Sequence, residues 1–134
     1  MYAFRRDADR HTEFRDWLHE AVNAEASFGF SDLVASGFIR IVTHPRAFVA
    51  PSTPNSAASF VQTLRDHPNC VVVAPGKRHW RIFTQLVRQT GARGNLVPDA
   101  YFAALAIESG SEWITTDRDY ARFPALRWRH PLES

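Results

Sequence analysis

Three consecutive valines, Val71 to Val73, sit between Cys70 and Ala74 and run straight into the turn-forming pair Pro75-Gly76. A run this short, apolar on both faces, cannot make a helix and reads as a strand covered from two sides, as in the middle of a parallel sheet. Helical patterns surround it. From His11 to Ala26 the apolar residues Phe14, Trp17, Leu18, Ala21 and Val22 recur at helical spacing with charges opposite. After a short apolar step at Phe28 to Phe30, Ser31 is a good N-cap for a second helix with Leu33, Val34, Phe38 and Val42 inward, stopped by Pro45. Thr53-Pro54 opens a third helix with Ala57, Ala58, Val61 and Leu64 on its inner face, ending near His67-Pro68.

Beyond the valine strand, His79 to Thr90 is expected to be a helix with Trp80, Phe83, Leu86 and Val87 inward. Gly91 and Gly94 follow in a loop, and Asp99 is placed as the cap of an alanine-rich helix closed by Gly110. Glu112 to Thr116 reads as the next strand, Asp117-Arg118-Asp119 as an acidic turn, and Leu126 to Trp128 as a last strand. Met1 to Phe4 is read as the tail of a strand, followed by a charged turn from Arg5 to Arg10. Helices alternating with short buried strands predict an α/β fold with a mostly parallel sheet. With 134 residues, one domain spanning 1–134 is expected.

Composition narrows the function classes. An apolar share of 45% with 22% charged residues is that of an ordinary globular chain. No stretch approaches the ~18 apolar residues of a membrane span, and Arg5 and Arg6 interrupt any signal-peptide core, so a cytoplasmic protein is expected. Cys70 is the single cysteine, which leaves no internal disulfide and no cysteine-cluster zinc site, and it is read as a small buried hydrophobe. The six histidines are scattered, and His19-Glu20 has no second histidine at metalloprotease spacing. The glycine-rich loops of nucleotide enzymes and the nucleophile elbow of serine hydrolases are also missing.

What remains is acidic. In open α/β sheets ligands bind beyond the carboxyl ends of the strands. Asp99 begins a helix, and Asp117 and Asp119 follow directly on a strand that ends at Thr115-Thr116. If neighbouring strands bring these loops to one edge, three carboxylates converge, and a hard cation such as Mg2+ or Mn2+ relieves their repulsion. Such an ion acidifies bound water and stabilises charge on a phosphoryl group. Each aspartate also has an ordinary role, Asp99 as a helix cap and Asp117 and Asp119 as turn residues. Asp7 and Asp9 read as a solvated turn. Lys77, Arg78, Arg81, Arg88 and Arg93 flank or line one helix and either track a nucleic-acid backbone or form a solvated face.

The segments Gly91 to Ala100, Leu105 to Gly110 and Trp113 to Pro124 closely resemble the C-terminal half of VapC-type PIN-domain toxins, and the likeness extends through Leu126-Arg127-Trp128 and, upstream, Gly37 to Arg46. The resemblance implies a PIN-like three-layer α/β/α sandwich. It also implies an endoribonuclease using Mg2+ or Mn2+, the toxin of a type II toxin–antitoxin pair, forming a homodimer and held inactive by a small VapB-type antitoxin. It places Asp99, Asp117 and the less uniform Asp119 on the metal, with Thr115 and Thr116 holding the acidic loop or orienting water, Thr116 being the one assigned to catalysis. Two departures stand out. Family members begin with a strand carrying an aspartate, whereas this chain starts at Met1-Tyr2-Ala3-Phe4; an N-terminal strand truncated by an upstream true start is the preferred reading, ahead of a trimmed or a degenerate chain. Where the family commonly has a glutamate, Ser36-Gly37-Phe38 has none, and Asp32 is the nearby acid that would have to replace it. These departures leave open a PIN fold that binds RNA or antitoxin without efficient cleavage. The RNA target and the preferred metal are not readable from the residues.

Overall fold

The computed structural model describes residues 1–133 and resolves into two compact units, Met1–Val73 and Ala74–Ser134. The first unit runs α1 (His11–Asn23), β1 (Phe28–Phe30), α2 (Asp32–Val42), α3 (Pro54–Arg65) and β2 (Cys70–Val72). β1 and β2 pair in parallel, with Phe28 opposite Cys70 and Phe30 opposite Val72. Gly29 is required between them, because a Cβ there would lie 2.1 Å from the Val71 carbonyl oxygen. Two expected caps are present: the Ser31 hydroxyl accepts from the Val34 N–H at 3.1 Å, and the Thr53 hydroxyl accepts from that of Ser56 at 3.1 Å.

Several expectations for this unit are corrected. Met1 to Phe4 is a turn, with the N–H groups of Phe4 and Arg5 both bonded to the Met1 carbonyl, so the apolar scrap continues no strand. It packs instead through its rings: Phe4 meets Phe38 at 5.3 Å and Phe60 at 4.9 Å, and Tyr2 stacks on Phe14 at 4.8 Å. Arg5, which opens the charged turn, is buried. Its guanidinium donates to Asp7, to the Ala50 carbonyl and to the Ser52 hydroxyl, and it lies 4.0 Å over the Phe48 ring. That tie holds the Asp7 carboxyl below its ordinary range, so Asp7 belongs to a specific ion pair. Leu33 and Ala58 point outward, and Phe60 takes the inward place on α3. Val71 and Val72 are exposed, so β2 is not covered from both sides. Cys70 is half-buried, and burial raises its thiol pKa, in keeping with an unreactive small hydrophobe.

The second unit runs α4 (His79–Thr90), α5 (Leu96–Ser109), β3 (Trp113–Ile114), a 3-10 turn (Arg118–Arg122) and β4 (Trp128–Arg129). β3 and β4 also pair in parallel, Trp113 opposite Trp128. All strands among the described residues are therefore parallel, in two pairs. α5 is apolar almost all round and buries Ala100, Ala103, Ala104, Leu105 and Ala106. Its alanines let α4 approach closely, and Leu86, Tyr120, Phe123 and Leu126 complete the core around them. Gly110 ends α5 in the left-handed conformation at φ 68°, where a side chain would be strained.

Here too there are corrections. α5 starts at Leu96, so Asp99 lies in its first turn and is not its cap. Pro98 is tolerated because the first N–H groups of a helix have no partner to lose. Trp80, expected inward, is 68% exposed, and the buried stripe of α4 runs through His79, Phe83 and Leu86. The His79 ring is fixed by Nε2 at 3.0 Å from the Tyr101 carbonyl and by the rings of Tyr101 and Phe83.

Candidate functional site

The chain leaves β3 at Thr115 and folds at once into a tight turn. The Thr115 hydroxyl accepts from the Asp117 N–H at 3.1 Å, and Asp117 Oδ1 accepts from the Asp119 N–H at 2.9 Å. Two successive side-chain-to-backbone bonds thus make the turn that Asp and Thr are suited to make. Asp117 thereby caps the 3-10 turn, and Tyr120, one residue past Asp119, swings into the core. From there its hydroxyl donates to Asp99 Oδ1 at 3.3 Å, tying the turn to the start of α5.

The result is convergence. Asp99, Asp117 and Asp119 each offer a carboxylate oxygen, and these atoms lie within 4.8 Å of one another. Asp99 is half-buried and the other two are exposed. Partial burial raises the Asp99 carboxyl above its ordinary range, and the charge of Asp117 raises it further; the Tyr120 hydrogen bond works in the opposite direction, and Asp119 adds to the increase. Tyr120 is itself pushed well up, by burial first and by Asp99 next, so at neutral pH it keeps its proton and remains a donor. Arg122 pairs loosely with Asp119 at 4.0 Å, and Asp99 and Asp117 have no ion pair among the described residues. Oxygen donors without nitrogen or sulfur are the set that a hard divalent ion prefers, and crowding that raises a carboxyl pKa is what such an ion relieves. The donor chemistry therefore fits Mg2+ or Mn2+.

Of the residues picked from sequence, Asp99, Asp117 and Asp119 come together. Thr116 lies beside them in the chain, exposed, and its side chain makes no hydrogen bond among the described residues; the bond that shapes the turn belongs to Thr115. Asp32 belongs to the first unit, where its carboxylate pairs with Arg65. Gly37 faces open space, with nothing within 4 Å of an added Cβ. Sequence reasoning passed over Tyr120. The one available signal was a phenol placed next to an acidic turn, with no charged group to explain it.

A PIN domain sequence profile matches residues 1–126. The chain belongs to the PIN-domain family. Within it, this PIN domain is 41% identical over 133 residues to VapC ribonuclease Mb2897 of Mycobacterium bovis, covering 99% of the chain and 90% of that protein. It is equally similar to ribonuclease VapC43 of Mycobacterium tuberculosis, and 33% identical over 131 residues to ribonuclease VapC25 of the same species, covering 98% and 92%. It is thus of the VapC type. Two solved structures share the fold at 16% identity. VapBC2 of Rickettsia felis, bound to a promoter DNA fragment, matches with a TM-score of 0.65 over 96% of this chain and 90% of that one. VapBC-1 of nontypeable Haemophilus influenzae matches with a TM-score of 0.63 over 91% and 90%. The PIN-like α/β architecture expected from sequence is therefore the fold of this chain.

Proposed function

We propose that this chain is a metal-dependent endoribonuclease, the toxin of a type II toxin–antitoxin pair, with Asp99, Asp117 and Asp119 holding Mg2+ or Mn2+. The observation that carries the reading is the convergence of three carboxylates within 4.8 Å at the end of a strand in a PIN fold. When bound, the ion supplies charge stabilisation on a phosphoryl group and a more acidic water. The chain's own residues do the rest. Thr115 and Asp117 fix the turn so that two carboxylates face one point, Tyr120 holds Asp99 toward it, and the exposed Thr116 hydroxyl orients water.

The profile match across residues 1–126 supports reading the 134 residues as a single functional domain. A VapB-type antitoxin is the proposed partner, supported by the two VapBC complexes that share the fold. A homodimer and a cytoplasmic location go with the same reading. Among the described residues, no helix is long and apolar enough to cross a membrane.

The test is cleavage of RNA by the full chain. Mg2+ should support it, EDTA should stop it, and Asp99→Asn or Asp117→Asn should each lower turnover by about 100-fold or more, as loss of a metal ligand or transition-state contact does. Undiminished cleavage in both variants would sink the reading. RNA binding with no turnover by the wild-type chain would replace it with a non-catalytic PIN domain.

A further inference from the structure

Between His67 and Pro98 the chain contains no aspartate or glutamate, yet it carries Lys77, Arg78, Arg81, Arg88 and Arg93. Five of the sixteen cations and none of the fourteen carboxylates fall here, so a chain of net charge +2 is in effect a stretch of +5 joined to a remainder of −3. All five side chains are exposed. Arg78 donates to the Glu108 carbonyl at 3.1 Å, whereas Lys77, Arg81, Arg88 and Arg93 make no side-chain hydrogen bond or ion pair among the described residues. On α4, Arg81 and Arg88 are seven residues apart, which puts them on one side of the helix about 10.5 Å from each other.

Trp80 lies on the adjoining side of the helix, about 80 to 100° round from them. Its indole is 68% exposed, although leaving so much apolar surface in water gives the fold nothing. It is braced from behind, 5.4 Å from the Phe83 ring, which is in turn 5.8 Å from Tyr101 of α5. A firmly held aromatic face bordered by unpaired cations is what an unpaired base and its neighbouring phosphates require.

We propose that the exposed face of α4 holds single-stranded RNA, with a base stacked on Trp80 and the backbone phosphates met by Lys77, Arg81 and Arg88. This rests on the ribonuclease reading for the kind of polymer, but the binding itself does not use the acidic cluster. A second copy of the chain fits this face poorly, because a symmetric contact would set Arg81 and Arg88 against their own counterparts. An acidic peptide would use the charge and leave the indole without a partner of its own kind.

The experiment is an anisotropy titration of the full chain with a labelled, 2′-O-methylated single-stranded oligonucleotide in EDTA, so that cleavage is off throughout. Trp80→Ala should weaken binding about tenfold while Trp80→Phe keeps most of it, because stacking needs a ring. Arg81→Gln with Arg88→Gln should flatten the salt dependence by about 1.4 in log–log slope, two phosphate contacts at ~0.7 each. Circular dichroism checks that the variants are folded. Binding unchanged in Trp80→Ala and in the double arginine variant would overturn the proposal. So would tighter binding of polyglutamate than of the oligonucleotide, or a change of oligomer mass on gel filtration in Trp80→Ala with RNA binding intact. Loss of cleavage dependence on Asp99 would overturn the ribonuclease reading and leave this binding result standing.

Discussion

The two units spend their apolar residues differently. In Met1–Val73 each helix buries a single residue, Phe14 on α1, Val42 on α2 and Ala57 on α3, and cohesion comes from half-buried rings and the Arg5 tie. In Ala74–Ser134 one helix, α5, buries five residues, and α4 and the 3-10 turn close over it. All three clustered aspartates belong to the second unit. That is the unit able to hold them. Carboxylates that repel one another stay together only when the elements carrying them are fixed by packing that outweighs the repulsion.

The contrast is sharpest in the aromatic residues. Phe123 is 1% exposed and sits in the core beneath the 3-10 turn, whereas Phe60 is half-buried against Phe4 and Phe38. Phe123→Ala should cost about 3 to 5 kcal/mol, the range for a truncated core aromatic. Phe60→Ala should cost roughly half as much, since part of its surface already faces water. Urea unfolding of the two variants measures both. Equal losses would mean that the units are comparably packed and would remove the explanation of why the site sits where it does.

Legibility from sequence follows the range of the forces involved. The Ser31 and Thr53 caps were readable because a cap is decided within four residues. The acidic turn was readable too, since Thr115, Asp117 and Asp119 fold against their own backbone. Arg5 was not, because its acceptors Ala50 and Ser52 are 45 and 47 residues away. Trp80 was misplaced because periodicity defines an apolar stripe only to within one position, and here the neighbouring α5 selects His79 with Phe83 and Leu86. Asp99 was taken for a cap because aspartate suits the start of a helix, although α5 already begins at Leu96 and accepts Pro98 in its first turn.

A finer contrast lies within the second unit, between two adjacent threonines. Thr115 bonds the Asp117 N–H and Thr116 stands free in solvent. Thr115→Val should weaken Mg2+ affinity by about tenfold, the lower end of what the loss of a group orienting a ligand costs. Thr116→Val should leave affinity unchanged and lower kcat alone. Isothermal titration with Mg2+ beside steady-state cleavage separates them. If Thr116→Val weakens Mg2+ binding as much as Thr115→Val does, the division of roles between them is wrong.

The smallest expected effect concerns the turn that leads into α4. Glu108, near the end of α5, accepts from the Gly76 N–H at 2.6 Å and from the Arg78 N–H at 2.9 Å. The Gly76 bond does most to hold its carboxyl below the ordinary 4.5; burial works the other way, and the Arg78 N–H and the charges of His79 and Arg78 assist the lowering. A carboxyl depressed by folding stabilises the folded state fully above its ordinary value, and that contribution fades as pH falls through the folded value. The difference in Tm between wild type and Glu108→Ala should therefore be constant from pH 7 down to about 5 and shrink below 4.5. The protection of the Gly76 amide relative to its intrinsic exchange rate should fall over the same interval in the wild type. A difference that persists unchanged at pH 3 would show that Glu108 acts through its size and not its charge, and the turn before α4 would then be held by packing like the rest of its unit.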